Sequence, residues 1–184
     1  MADGTRLPTT HELIEEHSTL LYRYAYRLTG DAADAEDLVQ QTFLLAHQRG
    51  QQLREAGAAR GWLISIVRNV FLKSIRHRNR GRSLEEIDEP QVTDAALDVP
   101  VHLELLQEAL LELAEEFRSP LVLYYFEEFS YHEIAEQMGV PIGTVMSRLS
   151  RGKAYLKKRL TETAERERQA VPVQSRALEF VLQH

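Results

Sequence analysis

The stretch FSYHEIAEQMGVPIGTVMSRLSRGKAYLKKRL, residues 129–160, decides how this chain folds. Ser130 followed by Glu133 is a capping box, in which each residue's side chain satisfies the other's free backbone amide at the start of a helix. It opens a short helix over Tyr131–Met138. Gly139 stands where such a helix ends in the left-handed conformation, which a residue without a Cβ adopts at no steric cost. Pro141 then starts a second helix, because the N–H it lacks is one a first turn leaves unbonded anyway. Ile134 and the small Ala135 in the first helix face Val145, Leu149 and Leu156 in the second, all at helical spacing. The segment from Ser130 to Lys158 therefore reads as a helix-turn-helix. Its second helix, through about Leu160, holds Arg148, Arg151, Lys153, Lys157, Lys158 and Arg159 and no acidic residue. In a major groove the N-terminal half of such a helix presents Thr144, Ser147, Arg148 and Arg151, and arginine bonds guanine through two nitrogens. Lys153, Lys157 and Lys158 suit phosphates.

Working outward, Val101–Glu116 is amphipathic through Leu103, Leu106, Leu110 and Leu113, and Ser119-Pro120 reads as a cap and first-turn proline opening a short helix to Phe126. Residues 80–100 (RGRSLEEIDEPQVTDAALDVP) are acidic, broken by Gly and two Pro, and weakly periodic. Fully stretched they reach about 70 Å, enough to join modules two DNA turns apart at about 34–36 Å per turn. Before them come three helices. Thr9 or Thr10 caps the first, with Leu13, Ile14, Leu21, Tyr24, Ala25 and Leu28 on one face and Gly30 at its end. Asp31 opens the second, with Ala35, Leu38, Val39, Thr42, Phe43 and Ala46 inward. Residues 50–60 read as a loop, and Gly61–Arg78 as a third helix with Trp62, Leu63, Ile66, Val67, Val70, Phe71 and Ile75 apolar. No strand pattern is persuasive. The predicted fold class is all-α: two small helical domains (1–79 and 101–160), a flexible linker (80–100) and a C-terminal extension (161–184) in which Leu178, Phe180, Val181 and Leu182 suggest a short amphipathic helix.

The 184 residues carry a net charge of −6, but the charge is segregated. Residues 60–82 hold seven basic side chains and no acidic one, as does the block at 142–160 with six. Two pure basic blocks in an acidic chain point to two contacts with a polyanion. On the third helix Arg68, Asn69, Lys73 and Arg76 lie within about two turns, and Trp62 suits either a core or a platform for unpaired bases. The acidic start of the second helix, Asp31, Asp34, Glu36 and Asp37, complements the helix dipole. Together with Gln40 and Gln41 it also suits a basic protein partner. The absence of cysteine excludes disulfides and thiolate metal sites. The seven histidines are scattered, and no GxSxG, GxGxxG, P-loop or HExxH occurs, so neither an enzyme nor a cofactor or metal is expected. No apolar run exceeds six residues, and the N-terminus lacks a signal-like core, so the expected location is cytoplasmic.

Three stretches, RLTGDAADAEDLVQQTF (27–43), WLISIVRNVFLKSIRHRNR (62–80) and residues 129–160, resemble in order and spacing a bacterial RNA polymerase sigma factor of the extracytoplasmic-function (ECF) group. The resemblance implies sigma regions two and four with no region three, binding to core RNA polymerase through its beta-prime clamp helices and beta flap, promoter DNA as ligand, and an anti-sigma factor as a further partner. It places Asp34, Glu36, Asp37, Gln40, Gln41 and Phe43 at the polymerase interface, with Phe43 mostly in the core. It assigns Trp62, Arg68, Asn69, Lys73 and Arg76, with the 47–62 loop, to the minus-ten element, and Thr144, Ser147, Arg148, Arg151 and Lys153 to the minus-thirty-five element. Lys73 stands where the family usually has Asp, Met146 where it has Lys or Arg, and Ala114 where Pro is frequent. The implied function is promoter-specific initiation of transcription. The alternatives are a stand-alone helix-turn-helix regulator, against which the 31–43 segment speaks, and a sigma mimic that titrates an anti-sigma factor, against which the two basic blocks speak.

Overall fold

The computed structural model describes residues 6–78 and 103–170, with side chains described for 6–76 and 103–166. The predicted linker and the tail beyond 170, with Leu178, Phe180, Val181 and Leu182, lie outside the described residues. Among those described there are seven α-helices and no strand: α1 Thr10–Thr29, α2 Ala32–Gln48, α3 Ala59–Arg78, α4 Leu103–Glu112, α5 Glu115–Tyr125, α6 Tyr131–Met138 and α7 Ile142–Ala170.

In the first module α2 packs against both α1 and α3. Thr9 caps α1 through a capping box with Glu12: the Thr9 N–H donates to Glu12 Oε2 at 2.7 Å and the Glu12 N–H to Thr9 Oγ1 at 3.3 Å. Arg6 pairs with the same carboxylate. The Thr9 amide, Arg6 and the Thr9 hydroxyl together hold the Glu12 carboxyl at about 2, against 4.5 ordinarily. Gly30 ends α1 at φ 72°, and its N–H donates to Tyr26 O at 2.8 Å. Ile14, expected on the inward face, is 41% exposed; His17 fills that turn's inward position, in line with Leu13, Leu21 and Leu28. The Asp31 side chain accepts from the Asp34 N–H at 2.9 Å and starts α2. The predicted loop at 50–60 is two short 3-10 turns, Gly50–Gln52 and Ala56–Ala58, pinned by buried Leu53 and Ala59, and α3 starts at Ala59.

The second module departs from expectation at one point. The helix predicted to run to Glu116 stops at Glu112, and a new one begins at Glu115. Leu113 turns into the core there, and two glutamates suit the positive end of a helix dipole. Ser119 and Pro120 lie inside α5 rather than at its start. The Ser130–Glu133 capping box, the left-handed Gly139 (φ 63°) and the turn into α7 are as expected. Helix α7 runs ten residues past the predicted end. It crosses α5 closely at the buried Gly152, where a Cβ would lie 2.6 Å from Leu121 Cδ1 and 3.2 Å from its Cγ.

The two modules, expected as separate domains on a flexible tether, pack directly on each other, α1 against α4 and α5 and α3 against α6. Their buried residues form one continuous cluster. Gly30 takes part: a Cβ on it would meet Leu111 Cδ1 at 2.3 Å.

Gly152→Ala is expected to destabilise the protein despite alanine's better helix propensity, because Leu121 is buried and overpacking costs about 1–3 kcal/mol. A melting temperature equal to or above wild type would show that α7 has room to move away. The Glu12 cap is present above the ordinary carboxylate range and lost as pH falls through about 2. An NMR titration of the Glu12 carboxyl should therefore give a midpoint near 2, and a midpoint in the ordinary carboxylate range would count against the cap.

Candidate nucleic-acid and protein interfaces

Helix α7 buries Val145, Leu149, Gly152, Leu156 and Leu160, which turns Ile142, Gly143, Met146, Ser147 and Arg151 outward at its N-terminal half. Thr144 and Lys153 flank this face, half-buried, and the Ser147 hydroxyl donates to Thr144 O at 2.9 Å. Arg148 is turned aside: its Nη2 donates to Glu116 Oε2 of α5 at 3.0 Å. Arg159, counted in the basic block, clamps α7 to α4 by donating from Nε and Nη2 to Glu112 at 2.8–3.1 Å. With the Tyr155 hydroxyl as a further donor, this holds the Glu112 carboxyl below its ordinary range. The predicted minus-thirty-five set thus stays together on α7, with Arg148 tied inward.

On α3, Trp62, Asn69, Lys73 and Arg76 recur at spacings of seven, four and three, which puts them on one line along the helix. The last three are exposed and Trp62 is half-buried. Arg68 points elsewhere. Its Nε donates to Glu115 Oε1 at 2.7 Å and its Nη2 to Oε2 at 3.4 Å. On α2, Glu36, Asp37, Gln40 and Gln41 are exposed and Asp34 is half-buried, while Phe43 is 8% exposed and belongs to the core. The spacing also puts Leu44 on the outward face, four residues from Gln40 and seven from Asp37, and it is 58% exposed. The sequence reading missed it, although this spacing would have found it.

The surface between the modules was not foreseen residue by residue. The Tyr24 hydroxyl donates to Ser119 Oγ at 3.4 Å, and Ser119 Oγ donates to Glu115 Oε1 at 2.8 Å, the oxygen that also accepts from Arg68. Burial pushes the Tyr24 hydroxyl up, out of reach of ionisation. Glu127, 2% exposed, accepts from Arg23 Nη2 at 3.0 Å, and its backbone carbonyl accepts from Arg60. Burial pushes its carboxyl up while Arg23, Arg27 and Arg60 pull it down; the rise wins. Arg27 lies over the Phe126 ring at 3.6 Å, Arg60 over Phe129 at 4.3 Å, and Arg118 over Phe71 at 5.5 Å. Arg27 Nε, Arg60 Nε, Arg118 Nε and Glu127 Oε1 are buried without a hydrogen-bond partner. Each such atom left unpaired costs about 1–3 kcal/mol.

Among the described residues no group of three or more His, Asp or Glu is placed to hold a metal ion, and no helix is long and apolar enough to cross a membrane. Residues 13–81 match the family Sigma-70 region 2, and residues 103–156 match Sigma-70, region 4. The chain is 39% identical over 174 residues to the ECF RNA polymerase sigma factor SigE of Mycolicibacterium smegmatis, covering 89% of this chain and 67% of that protein. It is 39% identical over 142 residues to SigL of Mycobacterium tuberculosis, covering 74% and 80%. Among solved structures, the sigma factor RpoE of Bartonella quintana, in complex with the anti-sigma factor NepR, aligns with a TM-score of 0.66 at 28% identity over 80% of this chain and 94% of that one. A region 2 bundle on α1 to α3, a region 4 helix-turn-helix on α6 and α7, and relatives that match across both make this chain a member of the ECF family of RNA polymerase sigma factors.

Proposed function

We propose a division of labour between the modules of this sigma factor, which directs core RNA polymerase to its promoters. The outward face of α2, with Asp37, Gln40, Gln41 and Leu44, docks on the polymerase clamp helices. The line Trp62, Asn69, Lys73 and Arg76 on α3 holds the unpaired minus-ten strand. The N-terminal half of α7 reads the minus-thirty-five duplex through Ser147 and Arg151, with Thr144 and Lys153 beside them and Arg148 joining once released from Glu116. The observation that carries this reading is the α3 line, which sets an aromatic ring, an amide and two cations along one face of a helix. Unstacking a base costs a few kcal/mol, and stacking on an aromatic side chain returns about 1–3 kcal/mol per base. Capture of extruded bases therefore offsets a large part of the cost of melting. The chain supplies recognition and leaves bond formation to the polymerase, in the cytoplasm where both reside. A solved relative is bound to an anti-sigma factor, and a partner of the same class suits this chain, with region 4's beta-flap contact as one of the surfaces it would cover.

Run-off transcription on fragmented genomic DNA with core polymerase should yield new start sites sharing two upstream motifs; no new starts with core binding intact would overturn the assignment of promoter recognition. Leu44→Glu and Asp37→Arg, both at exposed positions, should each weaken core binding by about tenfold or more without lowering the melting temperature. Unchanged affinity would take that residue out of the interface. Asn69→Ala with Lys73→Ala should leave core binding intact and reduce permanganate reactivity of minus-ten thymines, and full reactivity would move melting off α3.

A further inference from the structure

Region 2 carries four arginines on the α1–α3 side that region 4 covers. Arg23 and Arg27 lie one turn apart on α1, and Arg60 and Arg68 lie on α3. None is on the line with Asn69, Lys73 and Arg76. Two of the four bond acids of region 4 directly, Arg60 bonds a backbone carbonyl, and Arg27 lies over the Phe126 ring. Arg68 meets both carboxylate oxygens of Glu115. Arg23 bonds the buried Glu127 carboxylate, and Arg60 bonds its backbone carbonyl. Arginine holds a carboxylate and a phosphate by the same fork of N–H donors. We propose that Arg23, Arg27, Arg60 and Arg68 form a phosphate-binding face of region 2, and that Glu115 and Glu127 of region 4 stand in for DNA phosphates on it, so that the packed chain and the DNA-bound chain exclude each other. The inference rests on region 2 acting at DNA.

Three observations support it. First, the covered surface is polar and incompletely bonded: the partnerless atoms include Arg27 Nε, Arg60 Nε and Glu127 Oε1, all in this contact. A permanent joint would satisfy them; a face shared with another ligand need not. Second, the only cation that region 4 sets against these arginines among the described interface side chains, Arg118, is itself buried over Phe71 beside Glu115, so the covering surface stays net acidic at its contacts. Third, a packed body of about 140 residues has a radius of gyration of about 14 Å, whereas DNA elements two turns apart, at roughly 34–36 Å per turn, are separated by about 70 Å, so both are reached together only when the modules part. Undocking thus frees cations of region 2 at the moment DNA is engaged.

The test uses the full chain without polymerase, so it can fail separately from the transcription assay. The chain has no cysteine, so Gln48→Cys and Glu165→Cys, at exposed sites on α2 and α7, give a clean dye pair. Glu115→Gln with Glu127→Gln should lower energy transfer and tighten binding of a short single-stranded oligothymidine by about tenfold, with a steeper salt dependence from the added phosphate contacts. Adding Arg23→Gln and Arg27→Gln should abolish the gain in affinity while transfer stays low. Should the buried Glu127→Gln change prevent folding, Arg23→Gln alone removes the Glu127 partner from the exposed side, and it should lower transfer in the wild-type background. Two results overturn the proposal: variants that keep wild-type transfer, or variants that open and bind oligothymidine no more tightly than wild type.

Discussion

Helix α5 is held on two sides at once. On one, Leu121 sits against Gly152 of α7 with no room for a methyl group. On the other, Glu115 and Ser119 join Tyr24 and Arg68 in a single chain of hydrogen bonds. The rest of the arrangement depends on this double use. The recognition helix takes its position from α5, and α5 takes its position from region 2. A hydroxyl, a carboxylate and a guanidinium that satisfy one another in the interior are directional, so they fix register where an apolar contact would allow sliding.

The two kinds of contact differ in energy. Within each module the contacts are largely apolar and continuous, as between Leu63, Val67 and the α1 face or between Val145, Leu149 and α6. Between modules they mix rings with guanidinium groups and buried carboxylates. Burying charge is costly unless every partner is present, and here several atoms lack one. The joint between region 2 and region 4 is therefore more polar than the interior of either module.

Local signals in the sequence were read correctly and distant ones were not. The Ser130–Glu133 box, the Gly30 and Gly139 ends and the Asp31 cap are each set within four residues, and each is where the pattern puts it. Ser119-Pro120 misled because its pattern fits a helix start, whereas the Ser119 hydroxyl is spent on Tyr24 and Glu115 inside a helix begun earlier. Arg68 and Asn69 are neighbours in sequence and were grouped, yet a step of about 100° around a helix sends them to different surfaces. The partners of Arg23 and Tyr24 lie near residues 127 and 119, and no periodicity in a single sequence links positions so far apart. Leu44 was left out of both faces, although its spacing from Asp37 and Gln40 puts an apolar residue on the polar side of α2.

The length of α7 has a mechanical consequence. Ile142–Ala170 is one unbroken helix, about 43 Å from end to end at 1.5 Å per residue. Its first turns sit in the DNA-reading element and its last turns project beyond the region 4 match, which ends at residue 156. The helix is thus a lever arm whose two ends are some two DNA diameters apart. The attachment point at Ala170 is remote from the major groove, yet it turns with the recognition helix.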